Sequence, residues 1–449
     1  MATIDRARLA ALREREDREF LRRTPRSRSL QGRAMAHLPL GVPMSWMAGL
    51  YRTPPIYVAA GEGAAFTDVD GNRYLDFNLC DLSMTVGYGN PVVAEALRAQ
   101  AGRGTQYLLP TEDALAVGEL LAQRMGLPFW QFTLSASGAN AEVIRIARSL
   151  TGRRRLVIFG GHYHGHIEET LVRDEQGHSV PDTAGLSPGA AMHTTIVPFN
   201  DLAALERVLA AGDCALVLTE PVMTNCNLIL PEAGFLAGVR ELTRRYGALL
   251  CIDEAHTFQF AFGGLSREWQ LATDFIVLGK GFGSGVAFGL YGMSDTVAAH
   301  FSAHLDIDIG PRGIATGGTT YASALAVAVA RAMLEQVLTP AAYDRVRGLG
   351  TVLADGLDAL FSRRRLPWTA FRCGPRAGYC LDPVLPRDGA AGSRSLDFDL
   401  IDARRVFMAN CGIWDAVAAA GPQTSFAHTG PDIGVYLGAA GEFLDEVLS

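Results

Sequence analysis

The sequence predicts an α/β protein with a mostly parallel central sheet covered on both faces by helices. Two observations predict it. Short runs of continuous apolar residues, Leu156–Phe159, Ala215–Leu218, Ala248–Ile252 and Phe275–Leu278, read as strands buried on both faces, because a half-solvated strand would alternate. Helix-length stretches separate them, at Ala139–Leu150, Leu202–Leu209 and Phe235–Tyr246, and strand–helix alternation is the pattern a parallel sheet requires.

Composition sets the outer bounds. A chain of 449 residues can bury a large core and has room for two or three domains. With 49% hydrophobic and 19% charged residues it is a folded chain, and a net charge of -7 argues against a general nucleic-acid binder. No segment reaches the ~18 uninterrupted apolar residues of a membrane span, and the N-terminus lacks an apolar secretory core. Its seven cysteines are scattered and odd in number, which favours reduced thiols in a cytoplasmic protein over disulfides or zinc.

Residues 1 to about 35 interleave arginines and acids around a thin stripe of Leu9, Leu12 and Phe20, which predicts a solvated helix packed on the body or on a partner subunit. Ile56–Val58, Ala65–Val69 and Tyr74–Phe77 alternate as strands do, with Asp70-Gly71-Asn72 as a hairpin turn. Asn90-Pro91 opens a helix, and Ala114–Met125 forms a second. Phe132–Leu134 begins the alternating strand–helix region. An alanine-rich helix at Ala322–Val337 closes it, and after Pro340 a smaller unit carries helix signals at 341–362 and 398–411, with 385–395 loop-like.

Ligands in such sheets collect beyond the carboxyl ends of the strands, so the polar residues there are the candidates. Lys280 follows the apolar run Phe275–Leu278 and Gly279, with Gly281, Gly283 and Gly285 behind it. A lysine at a buried strand end is costly as a bare cation, and is accounted for if it forms a Schiff base with a cofactor; the alternative is a solvated lysine on a surface turn. Ser135-Ala136-Ser137-Gly138 opens a helix with small residues and hydroxyls, which suits a phosphate, or else Ser137 is an ordinary N-cap. Tyr163, between Gly161 and Gly165, suits a planar ligand; His162, His164 and His166 alternate around it without the acid or cysteine pattern of a metal site. Asp253 is the first polar residue after Ala248–Ile252 and needs a cation, such as a protonated pyridine nitrogen, unless it is a helix cap or salt bridge. Glu220 is another acid at the same sheet edge.

Together these describe pyridoxal 5'-phosphate: a phosphate cradle, an aromatic plate, a pyridinium-paired aspartate and a Schiff-base lysine that then shuttles the proton. Gly61-Glu-Gly-Ala64, Asp68–Phe77, Gly87-Tyr-Gly-Asn-Pro91, Tyr163-His-Gly165, Glu220-Pro-Val222, Asp253-Glu254, Lys280 and Gly317-Gly-Thr319 resemble, in this order, the class III aminotransferases, and most nearly their glutamate-1-semialdehyde aminomutase subgroup. The resemblance spans residues 36 to 335 and weakens beyond. It implies a fold-type I transferase with a large domain at 70–337 and a smaller α+β domain formed by the N-terminal segment 1–69 and the C-terminal segment 338–449. It also implies a cytoplasmic homodimer with shared active sites, acting on small molecules and on neither nucleic acid nor membrane. Lys280 and Asp253 are then catalytic. Ala136, Ser137, Tyr163, Glu220, Asp253 and Lys280 hold the cofactor, and Thr319 reaches the phosphate in the neighbouring subunit.

The expected activity is amino transfer between an amine or amino acid and an oxo acid or aldehyde. The alternatives are an aminomutase, an ammonia-lyase, or an inactive protein of the same fold. Departures fall on the substrate side. The cradle reads Ser135-Ala-Ser-Gly-Ala139 where the family has Ser-Gly-Thr-Glu-Ala, and Ala255 and Thr257–Phe260 replace a valine and Thr-Gly-Phe-Arg. Pro43–Met47 lacks the aminomutases' carboxylate-binding arginine, and no acid stands near Ala420 or Gly421 for their gating glutamate. Trp46, Met47, Phe258 and Phe260 suggest a more apolar pocket.

Overall fold

A computed structural model describes residues 3–49, 54–305, 313–415 and 421–449. Ala420, one of the two positions aligned with the gating glutamate, lies outside them. The chain divides into two compact units, one of residues 1–90, 344–385 and 395–449, the other of residues 91–343 and 386–394.

The second unit is built on a seven-stranded sheet. Its strands are β1 (Phe129–Thr133), β2 (Arg155–Phe159), β3 (Thr194–Val197), β4 (Cys214–Thr219), β5 (Leu249–Asp253), β6 (Phe275–Leu278) and β7 (Gly289–Met293). Their order is β1-β7-β6-β5-β4-β2-β3. Neighbours from β6 to β3 run parallel, whereas β7 runs antiparallel to both β6 and β1. Every residue of β4 and β6 is buried, as their unbroken apolar sequences require. One face packs on Val143, Ile146 and Ala147 of the helix Ala136–Thr151. The other packs on Leu205, Leu209, Val239 and Leu242 of Leu202–Leu209 and Phe235–Tyr246.

β7 is absent from the sequence-based reading because Gly289-Leu-Tyr-Gly-Met293 has neither alternation nor a β-branched residue. Its glycines answer to packing. A Cβ at Gly289 would fall 2.3 Å from the carbonyl carbon of Ser135, so only glycine lets β7 start against the corner where β1 turns into its helix. The alanine-rich helix runs over Ala324–Ala332 and ends in a π-helical turn at Met333–Val337. The stretch read as loop at 385–395 contains the helix Gly389–Arg394, which belongs to this unit. Gly389 lies so close to the loop after β2 that its Cβ would meet the Gly160 carbonyl oxygen at 2.2 Å.

The first unit carries the sheet Val58–Glu62, Ala65–Asp68, Arg73–Asp76 and Ile413–Trp414. Asp68 ties its hairpin: Oδ1 accepts the N–H groups of Asp70 and Asn72 at 2.9 and 2.8 Å, and Oδ2 the Tyr74 hydroxyl at 3.0 Å. The boundary expected between 69 and 70 falls inside this hairpin, and the contacts move it to Asn90. The helix Arg6–Arg23 buries Leu9, Leu12 and Phe20 within this unit, beside Phe398–Asn410 and Gly430–Val447. Among the described residues no single helix is long and apolar enough to cross a membrane.

Replacing Gly289 with Ala is expected to cost about 1–3 kcal/mol in urea unfolding, because backbone must move to admit the methyl group. Gly118→Ala, which meets nothing within 4 Å inside the helix Glu112–Met125, is the contrast and should gain about 0.5–1 kcal/mol.

Candidate active site

Parallel strands deliver their ends to one edge, and the residues singled out from sequence stand there. Asp253 is the last residue of β5, flanked by β4 and β6, and is 4% exposed. Its Oδ2 accepts from Nδ1 of His164 at 2.9 Å and from Nδ2 of Asn140 at 2.8 Å; its Oδ1 accepts the Ala255 N–H at 3.0 Å. Burial alone would raise this carboxyl's pKa. The hydrogen bond and charge of His164, then the Asn140 and Ala255 donors, outweigh it and hold Asp253 below the usual carboxylate range. Asn140 lies on the second turn of Ala136–Thr151 and also donates to the His164 carbonyl at 3.1 Å. One carboxylate thus fastens the helix after β1 and the loop after β2 to the end of β5.

His164 and Asn140 are the site residues missed from sequence. A signal exists, since His164 sits between Tyr163 and Gly165, but in sequence the three alternating histidines look alike. The structure separates them. The ring nitrogens of His162 face the Phe159 and Thr170 carbonyls at 2.9 and 2.8 Å, and burial pushes its pKa down to about 4. His164 faces Asp253, and the ring of His166 lies edge-on to Tyr163 at 6.3 Å. Tyr163 itself is 42% exposed, a ring presented at the surface of the sheet edge.

At the start of the helix Ala136–Thr151 the cap is Ser135, whose extended backbone lets Oγ accept the Gly138 N–H at 3.2 Å. Ser137 is already inside the helix. Its Oγ accepts the His166 N–H at 3.2 Å, which corrects its alternative reading as the N-cap. Two glycines close on this point. Gly165, at φ +97°, would place a Cβ 2.1 Å from Ser137 Oγ, and Gly279 would place one 3.0 Å from the Ala136 side chain. The residue before Lys280 therefore rests on the first turn of the helix, where backbone N–H groups lack intrahelical acceptors. Lys280 has φ 47°, a left-handed conformation that costs a non-glycine residue about 1 kcal/mol or more and collects at functional sites.

Glu220 follows β4 and is buried. Its Oε2 accepts the hydroxyl and N–H of Thr224 at 2.5 and 3.2 Å, and its Oε1 the Asn225 amide at 3.2 Å. Burial raises its pKa, opposed first by the charge of His164. Thr319 is exposed, its carbonyl accepting from Gln106 Nε2 at 2.9 Å. Its loop leans on the same helix, since Gly317 N–H donates to Glu142 Oε1 at 2.7 Å.

The donor set suits a planar, phosphorylated heterocycle. A buried ionised acid for a ring nitrogen, an exposed aromatic ring, a helix N-terminus for a dianion and a strained lysine stand on one sheet edge. Two buried polar atoms there, Asn140 Oδ1 and His164 Nε2, have no hydrogen-bond partner among the described residues.

The family model for class-III aminotransferases matches residues 47–367, and the chain belongs to that family. Among its relatives, the glutamate-1-semialdehyde 2,1-aminomutase of Desulfitobacterium hafniense is 33% identical over 352 residues, 76% of this chain and 80% of that protein. A glutamate-1-semialdehyde-aminomutase from Pseudomonas aeruginosa, solved in complex with PMP, is 37% identical with a TM-score of 0.94 over 99% of each chain. An omega-transaminase from Sphaerobacter thermophilus is 28% identical with a TM-score of 0.85, over 94% of this chain and 97% of that one. The fold is therefore that of the fold-type I enzymes.

Removing the His164 side chain should lower stability at neutral pH by about 3 kcal/mol or more, because a buried carboxylate loses its partner. The sign of the pH dependence tests the cause. In the native protein the folded pKa of Asp253 is depressed, so its contribution is present above about pH 4 and lost as pH falls through the folded value. In His164→Ala the folded pKa is expected above the unfolded one, so the variant gains stability as pH falls, and the two curves converge only once pH has dropped below the native folded value. Urea unfolding between these limits reads the difference; a deficit independent of pH would show that lost packing dominates.

Proposed function

We propose that this protein is a pyridoxal 5'-phosphate-dependent aminotransferase that moves an amino group between an amine or amino acid and an oxo acid or aldehyde. The observation that carries the reading is the meeting of Asp253, ionised though buried, and Lys280, held left-handed, at the edge where Ala136–Thr151 begins. When bound, the cofactor supplies an aldehyde that joins amines covalently and a ring that takes up the electron pair left at the amine-bearing carbon.

The chain's own residues do the rest. Lys280 Nζ would hold the aldehyde covalently and, when free, would serve as the base and acid that moves the proton of the amine-bearing carbon. Asp253 holds a proton on the ring nitrogen, with His164 and Asn140 fixing the carboxylate from behind. The N–H groups of Ala136 and Ser137 and the Ser137 hydroxyl bind the phosphate, and Tyr163 orients the ring. Glu220 closes the turn beside His164 through Thr224 and Asn225. In a homodimer Thr319 reaches the phosphate in the second copy.

The relatives named glutamate-1-semialdehyde 2,1-aminomutase support a second reading, in which the amino group returns to a neighbouring carbon of the same molecule. Both readings use the same proton transfers at Lys280, and they differ in whether the amino group leaves with a second substrate.

Adding amino donors without acceptor to the holoenzyme should convert its visible absorbance to that of the aminated cofactor. Failure of every donor to do so would refute amino transfer, and an isomerised substrate formed without acceptor would favour the mutase. Lys280→Ala should lose about 10²–10⁴-fold or more in turnover while keeping cofactor that dialysis removes. Borohydride should label the native protein at this side chain and leave the variant unlabelled.

A further inference from the structure

The first unit contains its own cavity, of about 420 Å³, lined in part by Pro43 and Met47, from the segment that stands where the aminomutases carry their carboxylate-binding arginine. Its walls are Met47, Ile56, Val58, Phe66 and Trp414. Its polar end is made by Asp76, Asn78, Cys80 and Tyr88. Among the described residues that line it none carries a positive charge. We propose that this pocket binds a small organic molecule with an aromatic or branched-aliphatic body and no negative charge, such as an arylalkyl amine or alcohol.

Three features converge on that chemistry. The first is size, since the volume lies within the range of small-molecule sites and is ample for a substituted ring, which needs only roughly 150 Å³ or somewhat more. The second is the aromatic wall. Phe66 meets Trp414 at 5.7 Å and 83°, and Tyr88 at 6.1 Å and 67°. Edge-to-face rings of this kind extend the same geometry to a further ring. The third is the polar end. Asp76 accepts the N–H groups of Asn78 and Leu79 on Oδ1, both at 2.8 Å, and the Tyr88 hydroxyl on Oδ2 at 2.7 Å. That leaves one acceptor position on Oδ2 and repels a carboxylate or phosphate. Cys80 is exposed at its surface, but desolvation by its surroundings and then the charge of Asp76 push its thiol up to about 11, so it is a neutral neighbour and not a nucleophile.

The backbone beneath adds an independent sign of function. Leu79, Cys80, Asp81 and Leu82 have φ values of 55°, 49°, 53° and 67°, four consecutive non-glycine residues in the left-handed region. Each is disfavoured there, and such strain persists where a site requires it. The Asp76 carboxylate holds the first of these residues through its backbone N–H.

The test uses the holoenzyme and two probes of similar size that cannot enter amino transfer, 2-phenylethanol and phenylacetate. Titration with 2-phenylethanol should quench fluorescence saturably, and the quench should vanish in Trp414→Phe. Phenylacetate should bind at least about tenfold more weakly. Met47 is 44% exposed, so Met47→Arg adds a cation at the wall without a buried change, and the preference between the probes should invert. An unsaturable response, one that survives Trp414→Phe, or equal binding of both probes overturns the proposal. Steady-state kinetics then separate the two sources of such a ligand. A raised KM for amine donors at unchanged kcat identifies the enzyme's own substrate, and a lowered kcat at unchanged KM identifies a separate effector. The binding result stands apart from the amino-transfer reading, because neither probe carries an amine and neither outcome requires turnover.

Discussion

A carboxylate sealed from water must be surrounded by donors, and the active-site edge of this protein is arranged by that requirement at Asp253. Left alone at the end of β5, the acid would protonate. His164 and Asn140 prevent this by both meeting Oδ2, and they come from different segments. The loop after β2 and the helix after β1 are fixed in place by the same atom. Tyr163 and Ser137, which flank these residues in sequence, inherit their positions from it.

The second constraint is close approach of backbone. Gly165 on Ser137, Gly279 on Ala136 and Gly289 on Ser135 bring three segments to one helix terminus, the first and last at distances no side chain permits and Gly279 at a distance that would crowd one. This is how the residue before Lys280 comes to rest on the turn that offers free N–H groups. The left-handed φ of Lys280 follows from a chain that must leave β6 and turn at once into the 3-10 turn Lys280–Gly283. Overpacking at these glycines and loss of the His164 partner act through different physics, which is why unfolding experiments at several pH values distinguish them.

Much of this was legible in the sequence. Unbroken apolar runs found the parallel strands β2, β4, β5 and β6, but not β3, whose Thr194-Thr-Ile-Val197 is neither wholly apolar nor wholly buried. Asp253 and Lys280 stood out because each is the first ionisable residue after such a run. The rest was hidden for identifiable reasons. β7 is rich in glycine where packing demands it, so it lacks strand composition. Asn140 looks like any polar residue on an amphipathic helix, and only the third dimension puts it beside residue 253. The helix Gly389–Arg394 joins the sheet-bearing unit through contacts such as Gly389 on Gly160, which no local pattern encodes.

The place of β7 has a consequence for how the chain is made. Among the described residues β1 lies at the edge of the sheet with β7 as its only neighbour. During synthesis β1 emerges early, yet the strand that completes its ladder is not available until residue 289 has left the ribosome. For that interval the growing polypeptide carries an open row of amides and carbonyls, the kind of surface that recruits other chains. The ladder of this edge is therefore among the last in the sheet to close, an order of assembly the finished fold no longer reveals.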